Sequence, residues 1–431
     1  MISPSLADAV LSVSLIASLC AYIVVSKREG SYLNILTPAF LIGIPANYLL
    51  PFVFTHVFGN DASPYAYIYV YTTIAVENVV FVYAYLRPAR KILRLPFRYS
   101  YSNFDRASFA ALALGLLMYA PVLLQFPEYI LSPRQIYEHT RTGFGVSYYA
   151  SSTLAYLALI LILFSGRSRR TKWFVGLAAA ALLSLHGSKG QVLSLFFLLA
   201  LFEVYVRARK VRLLPSLVVV GALSLLALLL FATTMVLDQD PVEAVQTISQ
   251  YSDYTRNAML VIDSHFPVQY GRLTLEGHVY GRIPRVLMPG KPKNFGALYL
   301  DDQFFPASLD EEAGSPDFGI GLQYADFGYL AVVYLAFFAM IRGWLAGIFV
   351  RRLGHTKHPA DFLLLAFLAN VSIFPVGGVG WLLPESLVFA LLLRSTSCIG
   401  ARRVYRERIR NKQPVLPEKG TDPLGRLGTI G

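Results

Sequence analysis

Cysteine is almost missing from this chain: Cys20 and Cys398 are its two examples in 431 residues. Two thiols cannot make a disulfide framework, and each stands in or beside a strongly apolar stretch as a small inert hydrophobe. Charge is scarce too. At 15% charged residues against 55% hydrophobic and 14% aromatic, the composition excludes a soluble domain of this length. A nucleotide P-loop is excluded as well, because the turn His186-Gly-Ser-Lys-Gly190 lacks both the upstream glycine and the Ser or Thr after its lysine. No solenoid-period repeat and no transporter-like inverted repeat is visible. The first apolar segment has neither the basic flank nor the small-residue cleavage pattern of a removable signal, so it is expected to stay as an anchor.

Long apolar runs fill the space these absences leave. With a mean hydropathy of +0.52, the chain reads as an all-α integral membrane protein. Stretches long enough to cross roughly 30 Å of hydrocarbon fall at about 6–26, 33–56, 64–86, 107–127, 147–164, 173–187, 190–206, 213–237, 319–341, 360–376 and 381–399. The ninth has an alternative register, from Tyr329 to Val350, that would let Arg342 snorkel to the nearer head groups. The expected organisation is helices one to eight in 1–237, a large loop in 238–318, helices nine to eleven in 319–399 and a basic, partly disordered tail in 400–431.

Charge sets the orientation. If the eleven spans hold, twenty-nine of the 38 Lys and Arg residues fall in connections on one side, and the positive-inside rule makes that side cytoplasmic. The amino terminus is then outside and the carboxyl terminus inside. The net charge of +12 is thereby retention charge facing anionic lipid, not a nucleic-acid footprint. Against that rule, the loop Asp238–Phe318 keeps Arg272, Arg282, Arg285, Lys291 and Lys293 on the outer side. Its backbone would lack partners in hydrocarbon, so it must cap the bundle or fold over a cavity. Tyr251 to Phe266 is expected to include a helix, and Pro284, Pro289 and Pro292 impose extended backbone around Arg285 and Lys291.

Lys189 opens a short helix whose amino end is expected to face outside, so free N–H groups and an ammonium lie together, an arrangement suited to phosphate. The plainer reading is a lysine that snorkels to the outer head groups.

The segment Gly281-Arg-Ile-Pro-Arg-Val-Leu-Met-Pro-Gly-Lys-Pro-Lys293, followed by Gln323-Tyr-Ala-Asp-Phe-Gly328, resembles the Wzy-type oligosaccharide repeat-unit polymerases of bacterial surface polysaccharide assembly. Ser188-Lys-Gly190 resembles the Ser-Arg-Gly element of the wider group that includes the O-antigen ligases. Two positions depart from the pattern. Lysine replaces arginine at 189, losing the bidentate fork, and Gln323 stands where relatives often carry Glu, so that either Asp326 or Glu312 substitutes or the role is not needed. The resemblance implies a GT-C-like glycosyltransferase fold and glycosyl transfer at the outer face of the cytoplasmic membrane. There a glycan on undecaprenyl diphosphate moves onto the sugar of a new lipid-linked unit. No cofactor is implied, and a chain-length regulator is an implied partner.

On that reading Lys189, Arg282, Arg285 and Lys291 would hold the departing diphosphate. The acceptor proton would go to His278, four residues before Arg282, or to Glu276, Asp317 or His265. Their plainer roles are loop packing or solvated charge, with Arg282 and Arg285 as partners of Asp301, Asp302 or Glu312. The acidic pairs Asp301-Asp302 and Asp310-Glu311-Glu312 read as solvated charges, so no metal is expected. Asp326 is expected to cap helix nine. Glu77 and Asn78 in helix three and Asn370 in helix ten are costly in the bilayer, roughly 2.5–3.5 kcal/mol for a carboxylate, unless partnered between helices. Tyr65 to Tyr71 reads as part of an aromatic belt. Two rival functions stay open: an O-antigen ligase, and a flippase or transporter without enzymatic activity.

Overall fold

The computed structural model describes residues 4–59, 62–87, 104–130, 135–136, 144–187, 189–215, 218, 221–222, 254–283, 287–306, 317–371, 389 and 391. Within them every regular element is helical. Six helical stretches are long and apolar enough to cross a membrane, and two shorter apolar helices accompany them. Arg285, Glu312, the expected spans at 213–237 and 381–399, and the tail lie wholly or largely outside the described residues.

The long elements are α1 (Pro4–Glu29), α2 (Thr37–Ile44) running through a π-turn at Pro45–Leu49 into α3 (Leu50–Phe58), α4 (Pro64–Leu86), α5 (Phe104–Gln125), α6 (Gly145–Phe164), α7 (Arg169–Leu185) and α8 (Lys189–Leu201). They are apolar around most of their circumference, which suits lipid on one side and neighbouring helices on the other. The lipid-facing side is plain on α1 and α5, where Val13, Ile16, Leu114, Leu117 and Leu124 point outward. Proline shapes α2, since Pro45 lacks an N–H and the ladder recovers only when Leu50 donates to the Pro45 carbonyl five residues back.

The remaining described elements are α9 (Tyr254–Asp263), α10 (Arg272–Tyr280), α11 (Ala297–Phe304), α12 (Gly321–Phe327), α13 (Ala331–Thr356) and α14 (Pro359–Leu368). The helix expected within 251–266 is α9. The ninth span combines both expected registers: α12 stops at Gly328, whose φ of +56° breaks the helix, and α13 resumes at Ala331. The tenth is shorter than expected, because Asn370 turns left-handed (φ +62°) just after Leu368.

Two hydrophobic cores divide these elements. One joins α5, α6, α7, α8 and α14 with the inner parts of α1, α4 and α13. The other holds α9, α10, α11 and α12 against the opposite ends of α1 and α4. The second core makes α9 to α12 a layer seated on one end of the bundle. Contacts at the edge of the layer, beside it and within it hold this arrangement. Asp263 at the end of α9 accepts from the Ser63 N–H at 2.7 Å and the Ser63 hydroxyl at 2.5 Å, just where Ser63 caps α4. Tyr69 accepts the Val332 N–H at 3.1 Å. Gly321 lets α12 touch α9, since a Cβ there would stand 2.8 Å from the Ala258 Cα. Tyr67 and Tyr71 are buried in this core, so the Tyr65–Tyr71 run is packing as much as aromatic belt.

Candidate functional site

In the layer, α10 gathers three of the expected residues. Its amino end is held by Asp326 of α12, which is fully buried: Oδ1 accepts from the Leu273 N–H at 2.9 Å, and Oδ2 from the Thr274 N–H at 2.7 Å and hydroxyl at 2.5 Å. Two otherwise orphaned helix donors are thus satisfied by a residue distant in the chain. This corrects the expectation that Asp326 caps helix nine: the helix whose first N–H groups it holds is α10.

At the far end of α10, Arg282 Nη1 donates to the His278 carbonyl at 2.6 Å and lies 3.3 Å from His278 Nδ1. A guanidinium can only donate, so Nδ1 is the acceptor and the imidazole proton sits on Nε2. Lys291 comes to the same end, its Nζ donating to the Ile283 carbonyl at 3.2 Å and lying 4.6 Å from the Phe295 ring centroid. His278 and the two cations Arg282 and Lys291 therefore come to the same end of α10. Glu276 faces Arg272 on the same helix at 3.6 Å.

Asp317 lies elsewhere, beside α9. Its Oδ1 accepts from the Gly319 N–H at 2.8 Å, and its carbonyl accepts from Asn257 at 3.0 Å. Much of the residue is exposed, yet its carboxyl is desolvated enough to stand above the usual aspartate range, with the Gly319 N–H drawing it back. Tyr254 is pushed up to about 12 by burial first and by the Asp317 charge second. His265 is exposed, at a left-handed φ of +53° beyond α9.

Tyr254 and Gly319 form part of the wall of a cavity of about 310 Å³ that descends from the layer into the helices. Asn47, Gln323 and Asn370 line it, and the side-chain amides of these three make no hydrogen bond to a described residue. Deeper, Glu77 faces Arg342 at 3.9 Å, and Arg342 Nε donates to the Leu368 carbonyl at 3.0 Å. Arg342 therefore does not snorkel. It stays inside the bundle, over the Phe81 ring, closing the carbonyl end of the short helix α14. Asn78 donates to Ser18 at 2.9 Å, the interhelical bond that its position required. Glu77, Asn78, Asn370 and Gln323 each stand out in the sequence separately; their convergence on one cavity is not visible there, and Asn47 carries no signal.

Lys189 begins α8, in the other core. The turn before it is built on the fully buried His186. Its Nδ1 donates to the Leu182 carbonyl at 2.7 Å, leaving Nε2 to take the Ser151 hydroxyl at 2.8 Å, and the ring lies between Tyr119 and Tyr148. Tyr148 donates to the His186 carbonyl at 2.7 Å, and Tyr119 to the Leu185 carbonyl at 2.6 Å. Together these hydrogen bonds fix the end of α7 and the direction in which α8 starts. Among the described residues, no group of three His, Cys, Asp or Glu side chains could hold a metal ion.

No family model and no solved structure matches the chain. Curated proteins do. The chain is 35% identical over 393 residues to proteins called O-antigen polymerase in Salmonella typhimurium and in Salmonella typhi, and each alignment covers 89% of this chain and 93% of the relative.

Proposed function

Because the chain belongs to the O-antigen polymerase family, we propose that the cationic end of α10 and the polar cavity walled by α9 and α12 together form the site where repeat units are joined. The enzyme is a multi-pass membrane glycosyltransferase that polymerises lipid-linked oligosaccharide units; the ligase and transporter readings are not favoured by its relatives. The observation that carries the site is the convergence of His278, Arg282 and Lys291 at the end of a helix anchored by Asp326.

The donor glycan is already activated by its lipid diphosphate, so the protein must hold the leaving group and accept one proton. Arg282, Lys291 and Arg285 neutralise the charge that develops on the diphosphate as the anomeric C–O bond breaks. His278 serves the same group. With Nδ1 turned to Arg282, its Nε2–H is left to donate to a phosphate oxygen, and neither ring nitrogen is free to accept the acceptor proton. The base is then Asp317, whose Oδ2 makes no hydrogen bond to a described residue and whose Oδ1 is bonded to Gly319 in the cavity wall. Glu276 is the weaker choice because Arg272 already engages it. The neutral, amide-rich cavity takes a sugar of the acceptor unit, since unpartnered amides match hydroxyl groups in both donor and acceptor sense.

Lys189, at the start of α8, adds its charge and the amino end of that helix to the same diphosphate. The full arrangement has eleven spans in a GT-C-like bundle, residues 238–318 on the extracytoplasmic side, an external amino terminus and a cytoplasmic tail, and a chain-length regulator bound alongside. In cells lacking their own polymerase, Arg282→Ala or Arg285→Ala should leave single repeat units on the acceptor lipid, and the lysine variants should restore short ladders, because a point charge replaces only part of a bidentate fork. Wild-type ladders from both alanine variants, at matched membrane levels, remove the clamp from the mechanism.

A further inference from the structure

At the end of the bundle away from the layer, where α1, α4 and α13 approach their last turns, a second cavity of about 340 Å³ is walled by Arg28, Arg209, Lys210 and Arg351. Four cations around one concavity repel each other, the more so where the dielectric is low. The carboxylate in that wall does not balance them. Glu29 is taken by two phenols, accepting from the Tyr85 hydroxyl on Oε1 and from the Tyr205 hydroxyl on Oε2 at 2.6 Å. Arg209 leans away to Glu203 at 3.1 Å, a carboxylate that also receives Arg207 at 2.6 Å.

The other three have no carboxylate partner among the described residues. Lys210 is admitted by the missing side chain of Gly30, where a Cβ would stand 3.3 Å from its Nζ. Arg351 donates its Nε–H to the Gly347 carbonyl at 3.2 Å, while Nη2 is sealed from solvent with no acceptor among the described residues. A buried charged donor without a partner is costly, and its cost disappears only when an acceptor arrives.

We propose that this cavity binds a phosphate group. A phosphate presents more acceptor oxygens and more negative charge than a carboxylate, matching the Arg351 guanidinium, the Lys210 ammonium and the further cations of the wall at once. Because α1, α4 and α13 are membrane helices, the group can arrive on an anionic phospholipid from the adjoining leaflet or as a free phosphate ester. The site is independent of the glycosyl-transfer site.

The full-length protein purified in detergent would be titrated separately with phosphatidylglycerol, phosphatidylcholine and inorganic phosphate, reading the thermal unfolding midpoint. Phosphatidylglycerol should raise the midpoint, phosphatidylcholine should not, and Lys210→Gln with Arg351→Gln should weaken the response at least tenfold in half-saturating lipid. A response to inorganic phosphate that is lost in the same variant also supports the site and makes its ligand soluble. Should the double variant fail to fold, the exposed Arg28→Gln is the second variant, with a smaller loss expected. No response of the wild type to either anion, or an unchanged response in the variants, overturns the proposal.

Discussion

At the scale of the residue, what decides the chemistry is which groups can still donate or accept. Lys189→Arg should polymerise and Lys189→Gln should not, though both insert equally well. Losing one charge-assisted contact in a desolvated site costs on the order of 2–4 kcal/mol, roughly thirty- to a thousandfold in rate; normal ladders from Lys189→Gln would make it a snorkelling lysine. Asp317 gives a pH test. Its pKa is raised, and only the ionised form can take the acceptor proton, so the rate should fall with decreasing pH at a value above the ordinary aspartate pKa of roughly 3.9. Initial rates across about pH 4–7 should show that limb, and Asp317→Asn should be inactive throughout; an active Asp317→Asn hands the proton elsewhere. The nearness of His278 and Arg282 was legible in the sequence from their four-residue spacing, whereas the helix that turns His278 toward Arg282 was not expected there. The saturation of Asp326 was not, since its partners Leu273 and Thr274 are brought to it only by folding.

At the scale of the element, the decisive feature is how α10 and α9 are tied down. Asp326→Ala removes three hydrogen bonds from the start of α10 and should destabilise the layer by about 1–3 kcal/mol. Asp326→Asn keeps one good acceptor and should lose less. Limited proteolysis near residue 283, with membrane insertion unchanged, would report the loosening; equal protease resistance in wild type and Asp326→Ala contradicts the anchoring role. Helix existence was readable from apolar length in α1, α4, α5 and α6, which need only lipid to form. Helix ends were not. The stop of α14 depends on Asn370 and on an arginine from α13 closing its last carbonyl, and the break at Gly328 depends on a backbone angle that length and hydropathy do not encode.

At the scale of the whole molecule, a membrane scaffold carries a polar layer on one end and a basic rim on the other, and the reaction is assigned to the layer. The sides can be read by labelling. In a chain with Cys20 and Cys398 replaced, Lys293→Cys should react with a membrane-impermeant thiol reagent in intact cells, and Arg410→Cys only after permeabilisation; the reverse pattern would invert every site assignment. Composition and loop charge made the membrane class and this expected polarity legible. The cavity was not legible, because Asn47, Glu77, Gln323 and Arg342 come from four separate segments. The central claim, that this chain alone joins lipid-linked repeat units using the α10 cluster, is tested most directly by reconstitution. Purified protein in liposomes, given undecaprenyl-diphosphate repeat units and no other protein, should yield a ladder of lipid-linked polymer from wild type, and unreacted single units from Arg282→Ala. Single units alone from a folded, correctly oriented wild type, or equal ladders from both, would contradict it.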